Sequence, residues 1–95
     1  MQVTVRFVGP MRGLAGRDQQ ALSQEAGATV RSALQGLASL LPRAFVDKVL
    51  APLQVGTAPL TLVLLNRQHL RPPAELDHLL TDGDVITFVP PMEGG

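Results

Sequence analysis

Residues 80–95 read LTDGDVITFVPPMEGG, and this closing run decides the fold. Its first part, residues 81–84, is a turn in which Gly83 is free to take a positive φ. Residues 85–89 form a short apolar strand whose side chains point alternately to opposite faces. Two prolines, which favour an extended backbone, and two glycines without side chains then end the chain. The run predicts a core strand that leads directly into an extended C-terminal Gly-Gly tail over residues 90–95.

The start of the chain provides a partner for that strand. Val3, Val5 and Phe7 alternate with polar residues, which is the pattern of a half-buried strand. Because this strand and residues 85–89 are both apolar enough to be central, we expect them to lie side by side and parallel. The long connection between them allows the right-handed crossover that parallel strands require.

The clearest helix lies between these two strands. Thr29 can cap the free N–H groups of its first turn, and Pro42 ends it, because a proline ring clashes with the preceding turn. The apolar residues between them lie on one face at helical spacing: Val30, Leu34, Leu37 and Leu41. One sheet with a helix across one face is a two-layer α+β domain. We therefore predict a β-grasp (ubiquitin-like) domain over residues 1–89, with a mixed sheet of four to five strands and one main helix across one face.

The other elements are shorter. Glycine and proline predict a loop over residues 9–17, and a second strand follows it over residues 18–23. After Pro42 the pattern predicts a helical piece over residues 43–50 and then a loop marked by Pro52, Gly56 and Pro59. A buried central strand over residues 60–65 follows, and a tight turn at Asn66 leads into a brief strand over residues 69–71. The last of these elements is a helical turn over residues 75–80. We expect that last turn to bury Leu76, Leu79 and Leu80.

Composition limits the functions that the chain can have. Its 95 residues suit one domain, and the absence of cysteine excludes disulfides and cysteine-based zinc or thiol chemistry. Eight basic residues balance eight acidic ones, and the three phenylalanines are scattered, which argues against nucleic-acid binding. The longest apolar stretch, Leu62 to Leu65, is far short of the about 18 residues that span a membrane. We expect a cytoplasmic protein that binds no cofactor and no metal.

The tail suggests a chemistry carried by the main chain. Six extended residues reach at most roughly 20 Å, and terminal glycines are narrow enough to pass through a channel into the active site of a partner. A terminal carboxylate is a poor electrophile, because it is ionised above a pKa of about 3.3–3.7. Joining it to AMP makes a reactive acyl group, from which a sulfur nucleophile can displace AMP and leave a thiocarboxylate. Since bulk near the acyl carbon would obstruct both steps, glycine suits the last position.

Motifs along essentially the whole chain occur in an order known from one protein family. They are VTVRF at residues 3–7, GPMRGLAG at 9–16, ATV at 28–30, LN at 65–66, LTDGDV at 80–85 and FVPPMEGG at 88–95. Together they resemble the molybdopterin synthase small subunit and the related ubiquitin-like sulfur carriers (MoaD/ThiS-like). Thiamine-pathway carriers share the fold and the tail but are usually shorter and less helical.

The resemblance implies a sulfur carrier that acts at its C-terminus. An E1-like enzyme would adenylate Gly95 with ATP, and a sulfur donor would then convert it to a thiocarboxylate. The remaining tail residues would thread into the large subunit of molybdopterin synthase: Pro90, Pro91, Met92, Glu93 and Gly94. That complex is typically a heterotetramer in which sulfur passes to a pterin precursor. The catalytic side chains would belong to the partner, so the chain is expected to have no catalytic set of its own.

Two apolar residues are candidates for docking to the partner. If Ile86 and Phe88 of the last strand face the helix, Val89 faces outward just before the tail, and Leu70 joins it. The sequence also departs from the family pattern, with Gly13 where Glu is usual, Arg67 where Gly is common, and extra length over residues 51–59 and 71–75. A two-residue type I′ turn needs positive φ at both central positions, which is awkward for Arg67. We therefore expect a longer hairpin loop there.

Two other hypotheses stay open. The carrier could serve another pathway, such as thiamine, cysteine, tRNA thiolation or another metabolite, or the chain could be a ubiquitin-like protein modifier or interaction domain. Lys48 is the only lysine, which argues mildly against a polymerising tag but not against single conjugation.

The remaining polar motifs have structural interpretations. The glycine-rich stretch 9–16 lacks the Gly-Lys-Ser/Thr ending of a phosphate-binding loop. His69 and His78 have no further ligand at metal spacing and are predicted to be surface residues. Asp82 and Asp84 are predicted to be turn residues rather than a catalytic carboxylate pair.

Overall fold

The computed structural model describes residues 1–56 and 61–90. The strands are β1 (Gln2–Phe7), β2 (Gln19–Ser23), β3 (Leu62–Leu65), β4 (Gln68–Leu70) and β5 (Val85–Val89). The helices are α1 (Met11–Ala15), α2 (Val30–Leu37), α3 (Arg43–Phe45) and α4 (Ala51–Val55), with a π-helical turn at Val46–Leu50 between the last two and a 3₁₀ turn at Ala74–Asp77. No helix within the two described ranges is long and apolar enough to cross a membrane.

The five strands form one mixed sheet in the order β2-β1-β5-β3-β4. Strands β1 and β5 lie side by side and parallel, with Val5 opposite Ile86 and Phe7 opposite Phe88. The other three pairs are antiparallel. The predicted α+β fold of the β-grasp (ubiquitin-like) type is therefore confirmed, including the central place of the strand that precedes the tail.

The core lies on one face of this sheet, where the helices pack. Three phenylalanines connect the two central strands to α3. The ring of Phe45 meets those of Phe7 and Phe88 edge to face, with centroids 5.2 and 5.4 Å away. All three rings are buried, and α2 adds four buried side chains beside them: Val30, Ala33, Leu34 and Leu37. Burial of these large rings against each other stabilises the domain, since aromatic side chains bury large apolar areas and edge-to-face pairs are favourable.

Helix α2 begins where the sequence predicts. The Oγ1 of Thr29 accepts a hydrogen bond from the backbone N–H of Ser32 at 3.1 Å, and the Oγ of Ser32 accepts one from the N–H of Thr29 at 2.9 Å. This is a reciprocal cap in which Ser32 takes the place of the more usual Glu or Gln. Two of the N–H groups that the first turn leaves without helical partners are satisfied in this way.

The end of α2 differs from the prediction. The helix ends at Leu37 instead of continuing to Pro42. Gly36 weakens the helix near its end, and the N–H groups of Ser39 and Leu40 bond to carbonyls only three residues back. The tighter turn rotates the following residues, and Leu40 is 45% exposed.

A short helix, α1, occupies most of the loop predicted over residues 9–17. Met11 and Ala15 are buried against the core, and Gly16 ends the helix at a φ of 73° with its N–H bonded to the carbonyl of Arg12. The sequence pattern misses this helix because five residues held by two buried contacts are too few to show a period.

The second helical piece is longer than predicted. Helix α3, the π-helical turn and α4 form one continuous segment over residues 43–55. The predicted loop at Pro52 is wrong, because Pro52 is the second residue of α4 and lies inside the continuous segment, directly after the π-helical turn. Gly56 ends the segment in the left-handed conformation. Four residues of the segment are buried against the core: Phe45, Val49, Leu50 and Leu53.

Gly56 allows a test of how this segment is joined to the rest of the domain. Its φ is 74°, and an added Cβ would lie 2.8 Å from the Cδ of Pro73, whereas Gly27 has a φ of 89° and no atom within 4 Å of an added Cβ. We expect Gly56→Ala to lower the free energy of unfolding by about 1–3 kcal/mol more than Gly27→Ala, because both bear the left-handed strain but only Gly56→Ala adds an overlap. Urea unfolding measures the difference, and equal losses would contradict the packing described.

The hairpin between β3 and β4 is tighter than expected. Leu65 pairs with Gln68, so the loop has two residues, Asn66 and Arg67, and the longer loop that the sequence predicts is wrong. The positive φ of 56° falls on Asn66, the single non-glycine residue in the described ranges that has one. Asparagine tolerates this conformation better than most residues, and Arg67 does not have to adopt it.

The segment before β5 places two of its three predicted core leucines inside. Leu76 and Leu80 are buried, but Leu79 is 62% exposed, which corrects the prediction. Leu79 forms an isolated antiparallel bridge with Thr29, so the backbone is extended there. Neighbouring side chains in extended chain point to opposite sides, and with Leu80 inside, Leu79 faces solvent.

Candidate functional site

The tail leaves the domain at the end of β5, beside the turn that follows β1. The N–H of Val8 donates to the carbonyl oxygen of Phe88 at 3.1 Å, which extends the parallel pairing. Gly9, at a φ of 58°, lies beside the half-buried Pro90, and an added Cβ would lie at van der Waals distance, 3.6 Å, from the Cγ of that ring. The remaining residues of the predicted tail, and with them the predicted chemical site, lie outside the described residues: Pro91, Met92, Glu93, Gly94 and Gly95. The structure therefore locates where the tail begins.

Val89 lies on the face of the sheet opposite the helices. Along β5, Ile86 and Phe88 are buried, and the alternate side chains, including that of Val89, are half-buried. The orientation of Val89 is the one expected from the sequence, and its role in docking stays a prediction.

Two residues that sequence reasoning missed lie beside Val89. Leu62 pairs with Val89, and Leu64 pairs with Thr87, so both leucines face the same side as their partners. The sequence predicts β3 as a buried strand in the middle of the sheet, and β3 does lie between β5 and β4, but only alternate residues are buried. In a sheet that helices cover on one face, every second side chain of a strand points to the uncovered face. The predicted two-layer fold could therefore have identified the two leucines as outward-facing. We call the four half-buried apolar side chains on this face the outer patch: Leu62, Leu64, Val85 and Val89.

Leu70 does not lie with the outer patch. It pairs with Val63 on the helix side of the sheet and is completely buried. Because the register of β4 against β3 decides which of its residues face inward, the expected exposure of Leu70 is wrong.

A polar network around Asp84 lies at the opposite end of the sheet. One carboxylate oxygen accepts hydrogen bonds from the Nδ2 of Asn66 and the hydroxyl of Thr81, both at 3.0 Å, and the other accepts the N–H of Thr81 at 2.8 Å. Burial by itself would raise the pKa of Asp84, but these hydrogen bonds and the charge of His78 lower the pKa below its ordinary value. Asp84 thus acts as a turn residue that connects the β3–β4 hairpin to β5.

The lowered pKa predicts a pH dependence of stability. A carboxyl group whose folded-state pKa is depressed stabilises the fold above its unfolded pKa, about 3.9, and this contribution is lost as the pH falls through the folded value. We expect Asp84→Asn to be less stable than the wild type at pH 7, with the difference decreasing below about pH 4. Urea unfolding across this range measures it, and a difference that stays constant with pH would contradict the assignment.

Arg31 is a further connection that the sequence analysis did not identify. Its Nε donates to the carboxylate of Asp77 at 2.8 Å, and its terminal nitrogen donates to the carbonyl of Pro73 at 2.6 Å. Arg31 thereby joins α2 to the segment before β5. Asp77 is engaged in this ion pair and not with the neighbouring His78.

The other polar candidates have structural surroundings. His69 and His78 are exposed, and a carboxylate oxygen of Asp82 accepts the N–H of Gln2 at 2.7 Å. Across residues 1–56 and 61–90, no three His, Asp or Glu side chains come together as ligands for a metal ion.

The sequence matches one known family over nearly its full length. The model of the ThiS family matches residues 5–95, a range that includes four of the five strands entirely, the second half of β1 and the tail. No curated protein matches the chain.

Several solved structures are similar to this one. One is SAMP1 from Haloferax volcanii, with a TM-score of 0.79, 23% identity and 100% of both chains covered. Another is the complex of subunits 1 and 2 of molybdopterin-converting factor from Helicobacter pylori 26695, with a TM-score of 0.63, 22% identity and 100% of both chains covered. A third is the BexX/CysO complex from Amycolatopsis orientalis, with a TM-score of 0.68, 24% identity and a coverage of 98% of this chain and 99% of the other. At these identities the likeness shows the fold.

Proposed function

The chain belongs to the ThiS family and has a β-grasp fold, and from that premise we propose that it is a sulfur carrier whose C-terminal Gly95 is adenylated and converted to a thiocarboxylate. The observation that carries this proposal is the extent of the family match, which continues through β5 and the tail to Gly95. The fold supports it, because a central strand held on both edges gives the tail a rigid starting point at Pro90.

The proposed chemistry has two steps. A carboxylate oxygen of Gly95 attacks the α-phosphorus of ATP in an E1-like enzyme, an acyl–phosphate bond forms, and pyrophosphate leaves. A hydrosulfide equivalent from the sulfur donor then attacks the acyl carbon, and AMP leaves with the bonding electrons. The acyl carbon keeps its oxidation state, and the side chains that catalyse both steps belong to the partners. We propose that the reaction takes place in the cytoplasm, where ATP is available.

The outer patch is the surface that we propose to dock against these partners. It extends along the outer face of β3 and β5 from Val85 to the base of the tail, where Val89 is one residue before Pro90 and Leu62 lies directly opposite Val89. A six-residue tail reaches at most roughly 20 Å, so the active site of a docked partner lies within that distance of the patch. Apolar side chains in the middle of a polar face are the usual centre of such an interface.

The sulfur acceptor that we propose first is the precursor of molybdopterin, with this chain as the small subunit of molybdopterin synthase in a heterotetramer. The motif order of the sequence and the likeness to the Helicobacter pylori complex support it. The likeness to CysO in its complex with BexX favours a carrier for another pathway as the second candidate. The likeness to SAMP1, the small archaeal modifier protein 1 of Haloferax volcanii, favours a protein modifier.

Co-expression with the E1-like enzyme and the sulfur donor of the same organism tests the proposed chemistry. Intact mass spectrometry should show the exchange of one oxygen for sulfur at Gly95. An unmodified carboxylate, produced with an enzyme that activates another carrier in the same assay, would refute the proposal.

The protein that co-purifies with a chain carrying an N-terminal tag identifies the acceptor. The molybdopterin synthase large subunit supports the first candidate, and a thiazole synthase or cysteine synthase homologue supports the second. Gly95 joined to lysines of other proteins would assign a modifier.

A further inference from the structure

Charges are separated between the two ends of the sheet although the net charge of the chain is zero. The end from which the tail leaves contains the last residues of β1 and β5, where Arg6 lies opposite Thr87 and Leu62 lies opposite Val89. The loop between β1 and β2 is at this end, and so is the residue after β4, since Leu70 pairs with Val63. Four arginines lie around this end and are called the basic collar: Arg6, Arg12, Arg17 and Arg71.

The carboxylates near the basic collar do not neutralise it. Asp18 is 3.8 Å from the Nε of Arg12, and both side chains are largely exposed. A carboxylate oxygen of Glu75 accepts the backbone N–H of Arg71 at 2.6 Å, which leaves the guanidinium of Arg71 outside that hydrogen bond. Within residues 1–56 and 61–90, two carboxylates against four guanidinium groups leave this end positive.

The opposite end of the sheet has the reverse sign. Glu25 follows β2 there, and Asp82 and Asp84 precede β5, so three carboxylates lie at this end. Two described cations lie there as well, Arg67 in the β3–β4 turn and the N-terminal ammonium of Met1, which donates to the carbonyl of Gln24. The domain is therefore a dipole whose positive end surrounds the start of the tail.

We propose that the basic collar docks against acidic side chains around the mouth of the channel through which the activating enzyme receives the tail. The inference rests on the proposed function, because it concerns the partner that the tail enters. A complementary field attracts the positive end of the domain and repels its negative end, so the domain approaches with the tail first. A channel mouth without negative charge would not attract the basic collar.

Arg6 and Arg71 are the members of the basic collar best suited to a test. Both are exposed, and within residues 1–56 and 61–90 neither guanidinium forms an ion pair. In contrast, the Nε of Arg12 donates to the carbonyl of Phe7, and Arg17 donates to the side chain of Gln20. Replacing Arg12 or Arg17 would disturb the fold as well as the charge.

The experiment compares Arg6→Glu and Arg71→Glu with Arg67→Glu. All three positions are exposed, and each substitution changes the net charge by the same amount, but Arg67 lies at the negative end. The measured quantity is kcat/KM for the ATP-dependent adenylation of each full-length variant by the E1-like enzyme, followed by pyrophosphate release. We expect kcat/KM to fall about 10-fold for Arg6→Glu and Arg71→Glu at low ionic strength, with kcat unchanged, and the loss to shrink at high salt. Arg67→Glu should stay close to the wild type, and Arg6→Lys should restore the rate.

Several results would overturn the proposal. Equal slowing of all three Glu variants would show that the net charge matters and the location of the charge does not. Unchanged rates for Arg6→Glu and Arg71→Glu would show that the basic collar does not contribute to docking with the activating enzyme. Binding of tRNA that Arg6→Glu and Arg71→Glu abolish, with adenylation unaffected, would assign the arginines to a nucleic acid. Thermal unfolding of each variant separates a loss of fold from a loss of docking. If the wild type is not adenylated, the proposed function itself fails.

Discussion

A chain extended by one alanine after Gly95 is expected to lose adenylation and thiocarboxylate formation by more than about 100-fold. One extra residue moves the reactive carboxylate by about 3.5 Å and places a methyl group beside the acyl carbon. Misplacement of a reacting group by about 1 Å can already cost about 100-fold in rate. Pyrophosphate release measures the first step, and intact mass spectrometry measures the exchange of oxygen for sulfur.

Gly95→Ala is the matched variant, because it adds the same methyl group without changing the length of the chain. We expect its rate to lie between those of the wild type and the extended chain. Both variants should keep the wild-type free energy of unfolding, since β5 ends at Val89 and the change follows it. An extended chain that still forms a thiocarboxylate at the wild-type rate would contradict a site at Gly95.

Phe88→Ala is expected to destabilise the domain by about 3–5 kcal/mol. Phe88 is completely buried, lies in a central strand, and contacts the rings of Phe7 and Phe45 at centroid distances of 5.9 and 5.4 Å. Removing its ring leaves a cavity between the sheet and α3 that the rigid sheet cannot close. Because small domains have a total stability of about 5–15 kcal/mol, this one change could unfold the protein at room temperature. Urea unfolding followed by circular dichroism measures the loss.

Val89→Ala serves as the comparison for Phe88→Ala. Val89 is the next residue of the same strand but is half-buried on the other face, so its truncation should cost about 1 kcal/mol or less. If Phe88→Ala does not fold, Phe88→Leu still tests the prediction, with an expected loss of about 1–2 kcal/mol. Equal losses at Phe88 and Val89 would contradict a core confined to the helix side of the sheet.

The elements that sequence patterns predicted well are those whose signal is local. Alternation identified β1 and β5, and Thr29 identified the start of α2, because each depends on a few neighbouring residues. Helix α1 and the residues of α4 were missed, since short helices rich in glycine or proline form only where tertiary contacts hold their buried residues. The turn at Asn66 was predicted in the correct place but with the wrong length. A two-residue loop forms with only Asn66 in the left-handed conformation, so the second loop residue does not have to adopt it.

By itself the sequence determined the two-layer fold, the central parallel strands and the tail as the candidate site, because periodicity, turn chemistry and a Gly-Gly end are written in consecutive residues. Only the tertiary structure decided that Leu62 and Leu64 face outward while Leu70 is buried. It also decided that arginines as distant in sequence as Arg6 and Arg71 lie around the start of the tail. Both results depend on strand order and register. These arise from pairing between distant segments, so no single stretch of sequence shows them.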